Sequence, residues 1–181
     1  AYVERVPASA ESWLNLGLVR FARQRFDGAA EALERSIGLE AAQPRAFKML
    51  GRVQTARGRP ASAERAFAEA ARLDEEDSEA RYLLGRLYQS EGRLVEAARF
   101  LEASVERDPR SPRALAFLGS VYFGLGRSAR AEGCLRRAVS LNEGSSTPEA
   151  VPHLELGLYL QRTDRAEESV GEFRRAAEID A

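Results

Sequence analysis

Small and large apolar residues recur along this chain of 181 residues at one long period. The pair Leu-Gly stands at Leu16-Gly17, Leu50-Gly51, Leu84-Gly85, Leu118-Gly119 and Leu156-Gly157, with glycine intervals of 34, 34, 34 and 38 residues. Twelve residues after each glycine comes a small residue: Ala29, Ala63, Ala97, Ala131, Ser169. Four further on comes a large apolar one: Leu33, Phe67, Leu101, Leu135, Phe173. Three more bring a small one again: Ser36, Ala70, Ser104, Ala138, Ala176. Five copies in one register make an internal repeat.

Each copy predicts two helices. With the glycine at position 8 of the repeat, positions 4, 7, 8 and 11 form an i, i+3, i+4, i+7 stripe. In the first copy these are Trp13, Leu16, Gly17 and Arg20; in the third, Arg81, Leu84, Gly85 and Tyr88. A turn follows, marked by Gly58, Gly92 and Gly126. The small-large-small stripe at positions 20, 24 and 27 then predicts the second helix. Small residues at positions 8 and 20 let two antiparallel backbones approach closely, so Gly85 is expected to lie against Ala97.

These residues give the chain its resemblance to the tetratricopeptide repeat family, whose pattern is W-x-x-L-G-x-x-Y, then A-x-x-x-F, then P, at 34 residues. Trp13-Leu14-Asn15-Leu16-Gly17 opens the first copy, with Arg20 where Tyr is usual. Tyr88 and Tyr122 meet the pattern, and Pro109 is the closing Pro. The resemblance implies an all-α fold, a right-handed superhelical solenoid of antiparallel helix pairs. The copies are placed at 10–43, 44–77, 78–111, 112–145 and 150–181, with a loop insert at 146–149. Residues 1–9 read as the tail end of a preceding repeat, since Pro7 falls where its closing Pro would. The chain stops at Ile179-Asp180-Ala181, within the last turn of a second helix. It therefore reads as five repeats excised from a longer protein. Phe173 is expected to pack inward, with Ala177 and Ile179 partly uncovered and weak self-association through the ends.

Composition removes several function classes. One Cys and one His, Cys134 and His153, exclude an internal disulfide and a multi-ligand Cys/His metal centre. Both fall at core-facing positions without a catalytic companion, as does Trp13. A net charge of −1 argues against a nucleic-acid partner. No apolar run reaches the roughly 18 residues of a membrane span. Of 27 basic residues only Lys48 is Lys, a bias typical of GC-rich, often bacterial, genomes. No catalytic residue and no cofactor are expected. Cytoplasm and periplasm are both compatible with the sequence.

Helical geometry leaves positions 2, 5, 9 and 12, with 6 and 13 at the edge, as the open stripe of the first helices. The family resemblance implies that this stripe lines a concave peptide groove. It reads Glu11, Leu14, Leu18, Phe21; then Arg45, Lys48, Arg52, Thr55; then Glu79, Tyr82, Arg86, Gln89; then Arg113, Ala116, Ser120, Phe123 with Phe117 at the edge; then Val151, Leu154, Leu158, Gln161. The groove is apolar at both ends and basic in the middle. Arg45, Lys48, Arg52, Tyr82, Arg86, Arg113, Phe117, Ser120 and Phe123 are its expected contact residues, and Arg52 and Arg86 share one position in adjacent copies. An acidic partner segment fits this pattern. The same charges also fit pairing along the stack, because position 2 alternates Glu11, Arg45, Glu79, Arg113. Lys48 and Arg113 match basic positions of the family's carboxylate clamp, whereas Arg52, Leu83 and Phe117 depart from it. The expected function is a non-catalytic scaffold that docks a protein or peptide partner. A self-assembly element of a larger complex, or a regulatory arm of an enzyme whose catalytic domain lies outside this chain, are the alternatives.

Overall fold

The structure, a computed structural model, describes residues 9–181; the expectations for Pro7 and residues 1–8 lie outside the described residues. Ten helices and no strand occur among them. The helices are α1 (Ala10–Ala22), α2 (Phe26–Leu39), α3 (Pro44–Ala56), α4 (Pro60–Leu73), α5 (Ser78–Ser90), α6 (Leu94–Arg107), α7 (Pro112–Gly124), α8 (Ser128–Glu143), α9 (Ala150–Arg162) and α10 (Ala166–Ile179). This is an all-α repeat array of helix pairs joined by short turns. The chain divides into two compact units: one ends at Leu83, the other is Leu84–Ala181.

In the first unit, α1 packs on α2 and α3 on α4, and α2 also packs on α3. Leu14, Ala29, Ala30, Leu33, Ala46 and Val53 form a core, flanked by Leu18, Phe21 and Phe26. In the second unit, α7 packs on α8 and α9 on α10, and α6 packs on α7.

The repeat glycine is where each pair closes. A Cβ built on Gly17 would stand 2.7 Å from Leu33 Cγ, on Gly119 2.6 Å from Leu135 Cγ, and on Gly157 2.7 Å from Phe173 Cε1. On Gly51 it would run into the Phe67 ring. Gly85 faces Leu101, with Cγ 2.5 Å and the backbone nitrogen 3.2 Å from such a Cβ. The nearest neighbour of Gly85 is thus Leu101, one turn beyond the expected Ala97. Side chains on a helix tilt toward its N-terminus, so the Leu101 branch leans back into the notch of the glycine. Ala97 is fully buried, and a small residue is needed there to bring the backbone in. The equivalent carbonyl, Ala131 O, lies 3.0 Å from a Cβ on Gly119.

Each first helix ends in the same tight turn. The amide of Arg25, Arg59, Arg93, Arg127 and Arg165 donates to the carbonyl five residues back, at 2.8–2.9 Å. The residue before each arginine is left-handed. It is glycine at Gly58 (φ 66°), Gly92 (φ 73°) and Gly126 (φ 74°), but Gln24 (φ 58°) and Asp164 (φ 59°) adopt it too. Residues with a Cβ pay roughly 1–2 kcal/mol for that conformation.

Two local solutions explain departures from the repeat pattern. Arg20, where an aromatic is usual, reaches across to α2 and donates to Gly28 O at 2.8 Å. The insert before α9 is closed by Asn142, which is 1% exposed. Its Nδ2 donates to Glu149 O at 2.8 Å, and its Oδ1 accepts from Glu149 N at 2.9 Å. One buried amide thereby satisfies both backbone groups at the end of the longer loop.

Two substitutions test this packing. Gly85→Ala is expected to destabilise by about 1–3 kcal/mol through overpacking, outweighing a gain of about 1 kcal/mol in helix propensity. An unchanged or higher melting temperature would refute the contact. Gln24→Gly should stabilise by about 0.5–1 kcal/mol, as relief of the left-handed strain exceeds the entropic cost of glycine. Gly58→Gln should destabilise by a similar amount, and thermal denaturation of both variants checks the pair.

Candidate functional site

The open stripe of the first unit is a charge cluster in which Lys48 and Arg52 are matched within the chain. Lys48, on α3, lies 2.7 Å from both Asp77 Oδ2 and Glu79 Oε2. Arg52, one turn on, donates to Glu79 Oε1 at 2.6 Å. Asp77 also caps α5, its Oδ1 accepting from the amides of Glu79 and Ala80 at 2.8 and 3.2 Å. Burial pulls the Lys48 ammonium down, but its bonds to Asp77 and Glu79 prevail and its pKa is raised. A compact ammonium with three donors suits a place between two carboxylates better than a planar fork. Arg45 is exposed and has no ion pair among the described residues. Arg45, Lys48 and Arg52 against Asp77 and Glu79 leave a local balance of +1 (three cations less two anions). Tyr82 is buried and offers little contact surface.

In the second unit the stripe is built on aromatics. The Arg86 guanidinium lies 3.7 Å over the Phe117 ring, so Phe117 is buried beneath it, at 7% exposure. Gln89 Nε2 donates to Ser120 Oγ at 3.3 Å. Phe123 meets Tyr159 edge-on, with centroids 5.2 Å apart. Arg113 Nε is bonded to Glu149 Oε2 at 2.9 Å. On α9, Leu154 and Leu158 stay 40% and 41% exposed one turn apart. Of the position-2 charges, Glu79 pairs with Lys48 and Arg52, and Arg113 with Glu149 of the insert; neither pairs with another position-2 residue, and Arg45 has no ion pair among the described residues.

Glu155 was not among the residues expected on this face. It is half-buried near Ser120, Arg86 and Arg162; burial raises its pKa above the ordinary carboxylate value, against the opposing Ser120 hydrogen bond and the two arginines. Its signal in the sequence is a carboxylate at an edge position of the stripe, between Leu154 and Leu156.

The single His, Cys and Trp sit in packed settings. His153 is 2% exposed, its Nδ1 2.8 Å from Glu172 Oε2. Cys134 is half-buried, and burial pushes its thiol pKa up, away from the reactive thiolate. Trp13 lies under Arg35, whose guanidinium carbon is 4.8 Å from the ring centroid. No group of three or more His, Cys, Asp and Glu among the described residues is arranged to hold a metal ion. No helix among them is long and apolar enough to cross a membrane.

Comparison with known families brings these features together. A tetratricopeptide repeat model matches residues 1–46 and 48–112, and a second tetratricopeptide repeat model matches 88–146. The chain belongs to the tetratricopeptide repeat family. No curated protein matches it significantly. Among solved structures it is similar to TTC0263, a thermophilic tetratricopeptide protein of Thermus thermophilus, with 21% identity over 94% of this chain and 91% of that one (TM-score 0.79). It is also similar to MamA of Desulfovibrio magneticus RS-1, at 22% identity over 94% of both chains (TM-score 0.75). YrrB, described as a tetratricopeptide protein with an unusual peptide-binding site, is 17% identical over 94% of this chain and 86% of its own (TM-score 0.67). At these identities the likeness is one of fold.

Glu155 gives a pH prediction. Its folded pKa lies above its unfolded one, so its contribution to stability is whole below the unfolded value, about 4.3. That contribution is lost as pH rises through the folded value. Glu155→Gln, which keeps an acceptor for Ser120, should melt higher than the parent at pH 7. The gap should close toward pH 4. A variant that melts lower at pH 7 would contradict the burial cost.

Proposed function

We propose that this chain is a non-catalytic docking scaffold that binds a segment of a partner protein on the open stripe of its first helices. Family membership supports the class of function. The observation that carries the site is the pair Leu154 and Leu158, two large apolar side chains left about 40% exposed on successive turns of α9. Beside them Phe123 is half-buried and Arg86 covers Phe117. An apolar side chain of a partner gains about 25 cal/mol per Å² by covering such surface. The peptide-binding site named for YrrB is in keeping with this use of the fold.

An acidic residue in the partner adds to this reading in the first unit. Arg45, which has no ion pair among the described residues, can take it, while at Arg52 it competes with the half-exposed Glu79. The attraction is a local exchange of ion pairs, each worth about 0–1 kcal/mol at the surface. Self-assembly has one feature in its favour: Val170 on α10 is 49% exposed, and Ala177 is exposed as well.

Photo-crosslinking tests the site. A crosslinker at Leu158 or Arg45 is expected to capture a distinct partner chain, and one at Val95, exposed on the second helix α6, is not. Equal capture from all three would overturn the proposed face. Capture of this chain's own copies would favour assembly. Once the partner is in hand, Glu79→Gln should tighten binding up to about fivefold, the equivalent of about 1 kcal/mol. Unchanged or weaker binding would remove the acidic component.

A further inference from the structure

The turn that ends every first helix is followed by arginine in all five copies: Arg25, Arg59, Arg93, Arg127 and Arg165. In the second unit most of these have a partner. Arg93 is paired with Glu91 and Glu96 and lies over Tyr88. Arg165 is paired with Glu132 and Glu168, and Arg127 stands 5.8 Å from the Tyr122 ring centroid. In the first unit, Arg25 and Arg59 are exposed and make no side-chain hydrogen bond or ion pair among the described residues.

Both line one cavity of about 520 Å³, together with Gln24, Phe26, Asp27, Gly28 and Arg57. Arg57 is the third guanidinium, with a side chain only 16% exposed, and it is held by Asp27 Oδ1 at 2.7 Å. Arg20 fixes the opposite wall through its bond to Gly28 O. Three arginines against one aspartate leave the cavity at +2, by simple count of its lining. Three facts define the occupant. The charge is that of a dianion. The free donors are guanidinium forks, which match tetrahedral phosphate oxygens two at a time. The cavity opens to solvent past Asp27, whose side chain is 91% exposed, so the group is presented by something larger that remains outside. A single carboxylate would leave one guanidinium unmatched, whereas a phosphate monoester carries about −1.5 to −2 at neutral pH.

We infer that the cavity between the α1–α2 and α3–α4 turns is a phosphate-monoester site, occupied by a phosphorylated serine or threonine of a protein segment. Arg25 and Arg59 are its primary ligands, and Arg57 is positioned by Asp27 as the third. None of the open-stripe residues of α1 and α3 lines it, and it stands whether or not that stripe docks a partner.

The test uses the whole chain and nuclear magnetic resonance titration. The probe is a capped five-residue peptide, Gly-Ala-phosphoserine-Ala-Gly, with its unphosphorylated twin and inorganic phosphate as the other arms. Expected are saturable amide shifts at Asp27 and Gly28 with the phosphopeptide, absent with the twin, and competed by inorganic phosphate. Arg25→Ala and Arg59→Ala should each weaken the titration at least fivefold. Arg174→Ala, an exposed arginine on α10, should leave it unchanged. Equal shifts from both peptides, shifts spread over the chain, or shifts undiminished in both cavity variants would overturn the site. Shifts with inorganic phosphate but none with the phosphopeptide would overturn the protein segment as its source.

Discussion

Each helix pair depends on one steric constraint: a glycine of the first helix must receive a leucine or phenylalanine of the second. The distances leave no room for even a methyl group at these glycines. The contact fixes axial register as well as separation, because one large side chain enters one notch. It also explains why an array rich in alanine has a well-packed interior. Ala29, Ala63, Ala97 and Ala131, all fully buried, bring the backbones in, and the large residue four positions on fills what they leave. The repeat is therefore a packing rule written in residue volume.

The turns obey a second rule that the sequence states less evenly. A left-handed residue is required before each second helix, and three glycines supply it at no steric cost. Gln24 and Asp164 hold the same backbone against their preference. They are held because the arginine amide that follows is bonded back to the first helix in every copy. Tertiary pairing here outweighs local propensity, so the turn occurs where its glycine signal is missing.

Periodicity made the helices and their pairing legible, because it records which positions must be small, large or apolar. It did not record what the glycine touches. Ala97 and Leu101 lie one turn apart on the same face, and only the tilt of the side chains decides between them. The charged stripe was legible as a pattern and silent as to partners. Lys48, Arg52 and Arg113 are basic in the sequence, but Asp77, Glu79 and Glu149 answering them come from the cap of α5, from α5 itself and from the insert. The spacing of Glu79 and Arg113 suggested such pairing. The capping of α5 by Asp77, which brings it within reach of Lys48, was not visible without coordinates. Glu155 escaped notice for a related reason, since its burial comes from neighbours on other helices.

An arginine that recurs in every repeat invites a purely structural account, and in the second unit that account suffices for Arg93 and Arg165. The same residue at the same turn has no such partner at Arg25 and Arg59 among the described residues. Repetition fixes the backbone frame, and the local complement of carboxylates decides what each copy of the side chain does. In the stripe of the first helices the chain supplies its own acids to Lys48, Arg52 and Arg113, and these become part of the architecture. At the α1–α2 and α3–α4 turns it supplies one aspartate for three guanidiniums, and this unmatched charge is what supports the proposed phosphate site. The place of the proposed phosphate site is thus read from the turns at which internal charge pairing stops.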